Sequence, residues 1–237
     1  MTSDGLYLAL LALHIAAGCT ALAAAAVALA AAKGGALHGR AGRIYVAAMF
    51  AVGATTLLLV AIRPNLFLLT IGLFSVYLVF TGWRAGVVRD GRPRPLDRLA
   101  TAAMLAVGLG MLALGAARTL GGPDHQGGAG HQGPVLLAFG AIGFVLALGD
   151  LRIGAARPVT GKRRIARHLT RMLAGTIATV TAAAVVNIHF LPSLAVWLGP
   201  TVLMTPVISW WNVRVLRGTA GGRPGVGLAS AGRSGET

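Results

Sequence analysis

The chain has 237 residues, 56% of them hydrophobic and only 11% charged, with a mean hydropathy of +0.75. A water-soluble domain carries roughly 25% charged residues, so this chain has too few charges to coat a water-facing surface, and a membrane is its natural solvent. The net charge of +15 would suit nucleic acid. However, the basic residues stand in short clusters between apolar runs, without the aromatic-interleaved polar face that a nucleic-acid groove requires, and that class is excluded.

A membrane-spanning helix needs about 20 largely apolar residues. Seven runs approach or exceed that length: 6–32, 44–62, 66–83, 99–120, 134–151, 171–190 and 192–213. The first carries His14, with Gly18 one turn later, and Cys19 in the context AAGC. No Lys or Arg precedes Lys33, so the positive leading segment of a signal peptide is absent. The run reads as a spanning helix with Cys19 as a small buried residue. KGGALHGRAGR, with His38, links it to the second run. Arg63, Pro64 and Asn65 make a tight turn between the second and third. Five arginines then lead into the fourth.

Between the fourth and fifth runs lies DHQGGAGHQG, a glycine-rich stretch expected to be solvated. Asp124, His125 and His131 could there hold Cu(II) or Zn(II). The fifth run ends at Asp150. The sixth follows KRRIARHLTR, with His168, and ends in NIHF, with His189. Along it His168, Met172, Gly175, Thr179, Ala182 and Val186 form one mostly small stripe. Pro200 and Pro206 should kink the seventh. Residues 1–216 thus form a seven-span, all-α transmembrane domain, and 217–237 a disordered cytoplasmic tail without apolar periodicity.

The charges test this count. Nineteen of the 21 Lys and Arg residues fall in alternate connections and the tail, and only Arg63 and Arg118 fall on the opposite side. The positive-inside rule then puts the N-terminus outside and the C-terminus in the cytoplasm, with the basic clusters against anionic lipid headgroups. Nineteen of the basic residues are arginine, and alanine and glycine are abundant. That composition fits a bacterium with a GC-rich genome, and hence a multi-pass protein of the bacterial cytoplasmic membrane.

Chemistry in the spans is sparse. No Gly-rich phosphate loop or nucleophile elbow is present. No Asp or Glu lies well inside a run, which argues against a carboxylate proton relay. Thr55, Thr56, Ser75, Tyr77, Thr81, Thr179 and Asn187 are expected to hydrogen-bond between helices. The histidines are the main candidates. His14 and His189 fall toward the outer side, and His38 and His168 toward the cytoplasmic side. Packing of the first span on the sixth would bring them into two tiers, the arrangement of axial ligands in a b-type haem protein. The expected function is therefore haem b binding or membrane electron transfer. The plainer alternatives are that His14 ties helices together and that His38 and His168 meet headgroups. The protein would then be a non-redox small-solute carrier or sensor, with histidines that pack or respond to pH, or a structural subunit of a membrane complex. No substrate, redox partner or oligomeric state follows from the residues.

HIAAG, KGGALHGRAGRIY, NLFLLTIGLFSVYLVFTGWRA and ARHLTRMLAGTIATVTAAAVVN together resemble the prokaryotic predicted membrane protein family known as domain of unknown function 2306. The likeness would cover residues 6–213. Its most specific parts are the loop from Gly35 to Arg43 and the RHLTRM opening of the sixth span. Gly39, where a second basic residue commonly follows the histidine, and Ala183, where an aromatic is expected, depart from the pattern. The resemblance implies a membrane fold and carries no established activity.

Overall fold

A computed structural model describes residues 3–121, 131–155 and 158–218. Asp124, His125 and the tail from 219 onward lie outside the described residues. Seven helices make up the fold, with no strand among the described residues: α1 Ser3–Ala30, α2 Ala36–Ile62, α3 Leu66–Val87, α4 Pro95–Leu120, α5 Gln132–Ala155, α6 Gly161–Asn187 and α7 Ser193–Arg217. All seven are long and apolar enough to cross a membrane.

The ends follow local chemistry. Asn65 accepts the backbone N–H of Leu68 and opens α3, an N-cap that satisfies one of the orphan donors of a first turn. Pro95 begins α4, where its missing N–H costs nothing. Gly218 ends α7 at φ +83°, a left-handed conformation that glycine adopts without strain. Between these ends α7 runs unbroken through Pro200 and Pro206.

Two helices extend furthest beyond their apolar runs. α2 begins at Ala36 and α6 at Gly161, so His38 and His168 are helical residues and not loop residues. An apolar-run reading stops at the first charge. The helical hydrogen-bond ladder does not stop at a charge, because long cationic side chains can extend to water while the backbone stays helical. At the other end α6 stops at Asn187, which leaves His189 outside the helix and exposed.

Packing is organised around α3 and α6, which lie against each other. The α1–α2 hairpin flanks them on one side, the α4–α5 hairpin packs on α3, and α7 packs on α6. One core joins Phe74, Tyr77 and Leu78 of α3 to Met104, Met111, Leu136 and Phe139 of the α4–α5 hairpin. A second joins Ala21 and Ala24 of α1 to Tyr45 and Met49 of α2 and Val79 of α3. Leu173, Ile177 and Ile208 tie α6 to α7. Cys19 is exposed and not buried as its size suggested. It lies on the outward face of a peripheral helix, beside exposed Ile15, where lipid would cover it.

Several small polar residues serve their own helix instead of a neighbour. Thr56, Ser75, Thr81 and Asn187 donate to carbonyls one turn back, the usual fate of a hydroxyl or amide with no polar partner across the interface. Thr55, Tyr77 and Thr179 do reach other helices.

Candidate functional site

Two groups of polar side chains stand out, both at the end of the bundle where the basic residues gather. The first is a histidine pair. The ring centroids of His38 (α2) and His168 (α6) lie 6.4 Å apart with their planes at 80°. Each ring is anchored at Nδ1. His38 Nδ1 is 2.9 Å from the carbonyl of Ala28, one of the last carbonyls of α1, which have no intrahelical partner. His168 Nδ1 is 2.8 Å from the carbonyl of Gly82 in α3. A carbonyl only accepts, so in both rings Nδ1 is the donor, and in the neutral imidazole Nε2 keeps a free lone pair. A metal-ligating histidine is typically fixed in this way, with its second nitrogen bonded to a carbonyl.

The backbone makes room for His168. A Cβ on Gly86 would come within 2.9 Å of its Nδ1, so only glycine fits there. Arg164 closes the same end of α3 by donating to the carbonyls of Ala85 and Gly86 at 2.9 Å each. The part of the stripe nearest His168 packs inward. Met172 lies beside Gly82, Gly175 against Val79 and Tyr45, and Thr179 donates to Met49 Sδ at 3.3 Å. Further along, Ala182 and Val186 face outward.

His14 and His189 do not form a matching pair. His14 Nδ1 lies 2.9 Å from Thr55 Oγ1 of α2, an interhelical tie. Gly18, one turn after it, faces open space. His189 is exposed between α6 and α7. His131 is not a solvated loop residue: it stacks on Trp197 at 6.3 Å and meets Phe67 edge-on at 6.4 Å. That apolar cradle is built by α3 and α7, which residue spacing around 131 cannot reveal.

The second group was missed in the sequence. Asp150, assigned to the edge of the fifth span, is buried at its side chain to 3% exposure and Arg171 to 4%. Arg171 donates to Asp150 Oδ1 at 2.7 Å and to the carbonyl of Leu146 at 2.9 Å. Arg167 approaches Oδ1 at 3.1 Å, and Tyr77 donates to Oδ2 at 2.6 Å. The Arg171 guanidinium also lies over the Tyr77 ring, 5.2 Å from its centroid. The carboxylate is thereby satisfied on both oxygens by α3 and α6. The available signal was the pairing of a lone acidic residue near a span end with arginines at the start of the next helix. Nearby, Arg84 grips Asp97 through two bonds of 2.7 and 2.8 Å. That bidentate geometry joins α3 to the first turn of α4.

Fold and composition define a multi-pass membrane protein of seven helices. Comparisons with family models, curated proteins and solved structures find no match to the chain.

Proposed function

We propose that this protein binds a b-type haem through His38 and His168 and serves membrane electron transfer or haem handling. The observation that carries the proposal is the pair of rings, each anchored at Nδ1 by a backbone carbonyl and 6.4 Å apart between centroids. Metal–imidazole bonds of about 2.0–2.1 Å on each side, plus about 1 Å from each nitrogen to its ring centre, bring two such centroids about 6 Å apart. Among the described residues no group of three or more His, Cys, Asp or Glu side chains gathers. A bare Zn(II) or Cu(II) ion would need more ligands than the pair supplies, whereas haem iron needs only axial ones. When bound, haem supplies one-electron redox chemistry. Arg40 and Arg43, near His38 on the same helix, are suited by charge to its propionates.

The site would lie at the cytoplasmic face of a bacterial membrane, with the basic end inside against anionic headgroups and the N-terminus outside. The charge asymmetry and the sequence resemblance support that orientation and setting. In a Cys19→Ala background, a cysteine introduced by Arg92→Cys should be protected in intact cells and react only after the membrane is opened. Labelling of intact cells by an impermeant reagent would reverse the topology.

A haem assay tests the function itself. Full-length protein produced with supplied haem should hold about one haem per chain by pyridine haemochrome. His38→Ala and His168→Ala should each lose it, while the anchoring helices remain folded. Protein that is well folded yet free of haem contradicts the proposal.

The buried Asp150–Arg171–Tyr77 network favours a second reading, a non-redox carrier or sensor. Ionisable groups inside a span mark transport or switching sites by default. A colourless protein in which Asp150→Asn abolishes transport or signalling, and leaves folding intact, would favour this reading.

A further inference from the structure

Beside the buried ion pair, α5 and α6 part to leave a cleft of about 610 Å³. Its lining includes Asp150 and four arginines: Arg152, Arg163, Arg167 and Arg171. The single carboxylate is already bonded to Arg171 and Tyr77 and paired with Arg167. The cleft is therefore cationic, with four guanidinium groups to one carboxylate among its described lining side chains.

Two of the lining arginines each carry an unpartnered donor just behind the cleft surface. Arg171 Nη1 and Arg167 Nε are buried with no hydrogen-bond partner among the described residues, and the Arg171 side chain is only 4% exposed. A buried, charged N–H without an acceptor carries a desolvation cost, which an oxyanion in the cleft would remove once the side chain turns toward it. Arg152 and Arg163, both exposed, stand at the rim. The opposite wall is apolar, from Val145, Leu146 and Ile153. Gly149 leaves the floor open: a Cβ there would meet nothing within 4 Å.

We infer that this cleft binds a phosphate oxyanion, held by Arg171 and Arg167 and drawn in by Arg152 and Arg163. Arginine forks match phosphate geometry, and basic pockets between membrane helices bind anionic lipid headgroups. The phosphate has two sources, a lipid headgroup entering from the bilayer or a phosphate-bearing solute entering from water. The inference is independent of the haem proposal, since the histidine pair joins α2 to α6 and the cleft lies between α5 and α6.

The test uses full-length protein in a non-ionic detergent and reads its melting temperature. One titration adds inorganic phosphate, and the other adds phosphatidylglycerol in phosphatidylcholine micelles, with phosphatidylcholine alone as blank. The same titrations are run on Gly149→Leu, which fills the cleft, and on Arg163→Gln, an exposed change that leaves the buried pair intact. The wild-type melting temperature should rise with at least one probe. The apparent affinity should fall about tenfold or more in both variants. A rise with phosphatidylglycerol only assigns the site to a headgroup, and a rise with inorganic phosphate assigns it to a solute. No rise with either probe, or a rise that both variants retain in full, overturns the inference.

Discussion

Asp150→Ala is expected to destabilise the protein by about 3–5 kcal/mol, the usual result of removing one partner of a buried ion pair. The substitution strips Arg171 of its 2.7 Å acceptor while leaving its guanidinium enclosed. It also orphans the Tyr77 hydroxyl, which donates to the same carboxylate. The loss therefore spans α3, α5 and α6, which the carboxylate ties together. Tyr77→Phe removes a single bond to a charged acceptor and should cost less, about 1.5–3 kcal/mol. Asp150→Leu combined with Arg171→Met should recover much of the loss, because replacing a buried pair by apolar groups of similar volume is often close to neutral. Chemical denaturation in detergent measures all three. A single Asp150→Ala variant as stable as wild type would mean that the pair is not enclosed as described.

Gly140→Leu should be damaging too, though less so, through sterics alone. A Cβ at Gly140 would lie 2.9 Å from the Met111 Cβ and 3.2 Å from both the carbonyl of Gly108 and the backbone nitrogen of Leu112. Backbone cannot move aside as a flexible side chain can, so α4 and α5 must separate. Gly108, Gly115 and Gly133 make similarly close contacts along the same hairpin, and close approach of small residues is what holds helices together in lipid. Overpacking of this kind costs about 1–3 kcal/mol. Gly110 of α4 is the control, since a Cβ there meets nothing within 4 Å. Gly110→Leu should be neutral or slightly stabilising, as glycine is about 0.8–1.0 kcal/mol less favourable than alanine in a helix interior. Equal melting temperatures for the two variants would contradict the tight α4–α5 interface.

The seven helices were legible because each apolar run announces its own span, and the turn at Arg63–Asn65 announces its own break. Helix ends were less so. The charged openings of α2 and α6 look like loops to a hydropathy reading, although the backbone there is helical. The site depended on which faces meet. His38 and His168 come together only because both helices pack beside α3, whose Gly82 carbonyl receives one ring and whose Gly86 leaves it room. Nothing in the spacing of α2 and α6 shows that. Asp150 was set aside because it lies near a span end. Its burial follows from the inward phase of α5 against Tyr77 and Arg171, a relation between three helices that no single stretch of sequence contains. His14 is a further case: its place deep in an apolar run marked it as a candidate, but its Nδ1 contact with Thr55 of the neighbouring helix is not legible in the run itself.

The most direct test of the proposed haem site is the visible spectrum of the detergent-purified, haem-supplied protein, oxidised and then reduced with dithionite. It should show a reduced b-type spectrum that is lost in His38→Ala and in His168→Ala but kept in His14→Ala and His189→Ala. A spectrum that survives both inner substitutions, or a folded wild-type protein with no visible absorbance, would contradict the assignment of His38 and His168 as haem ligands.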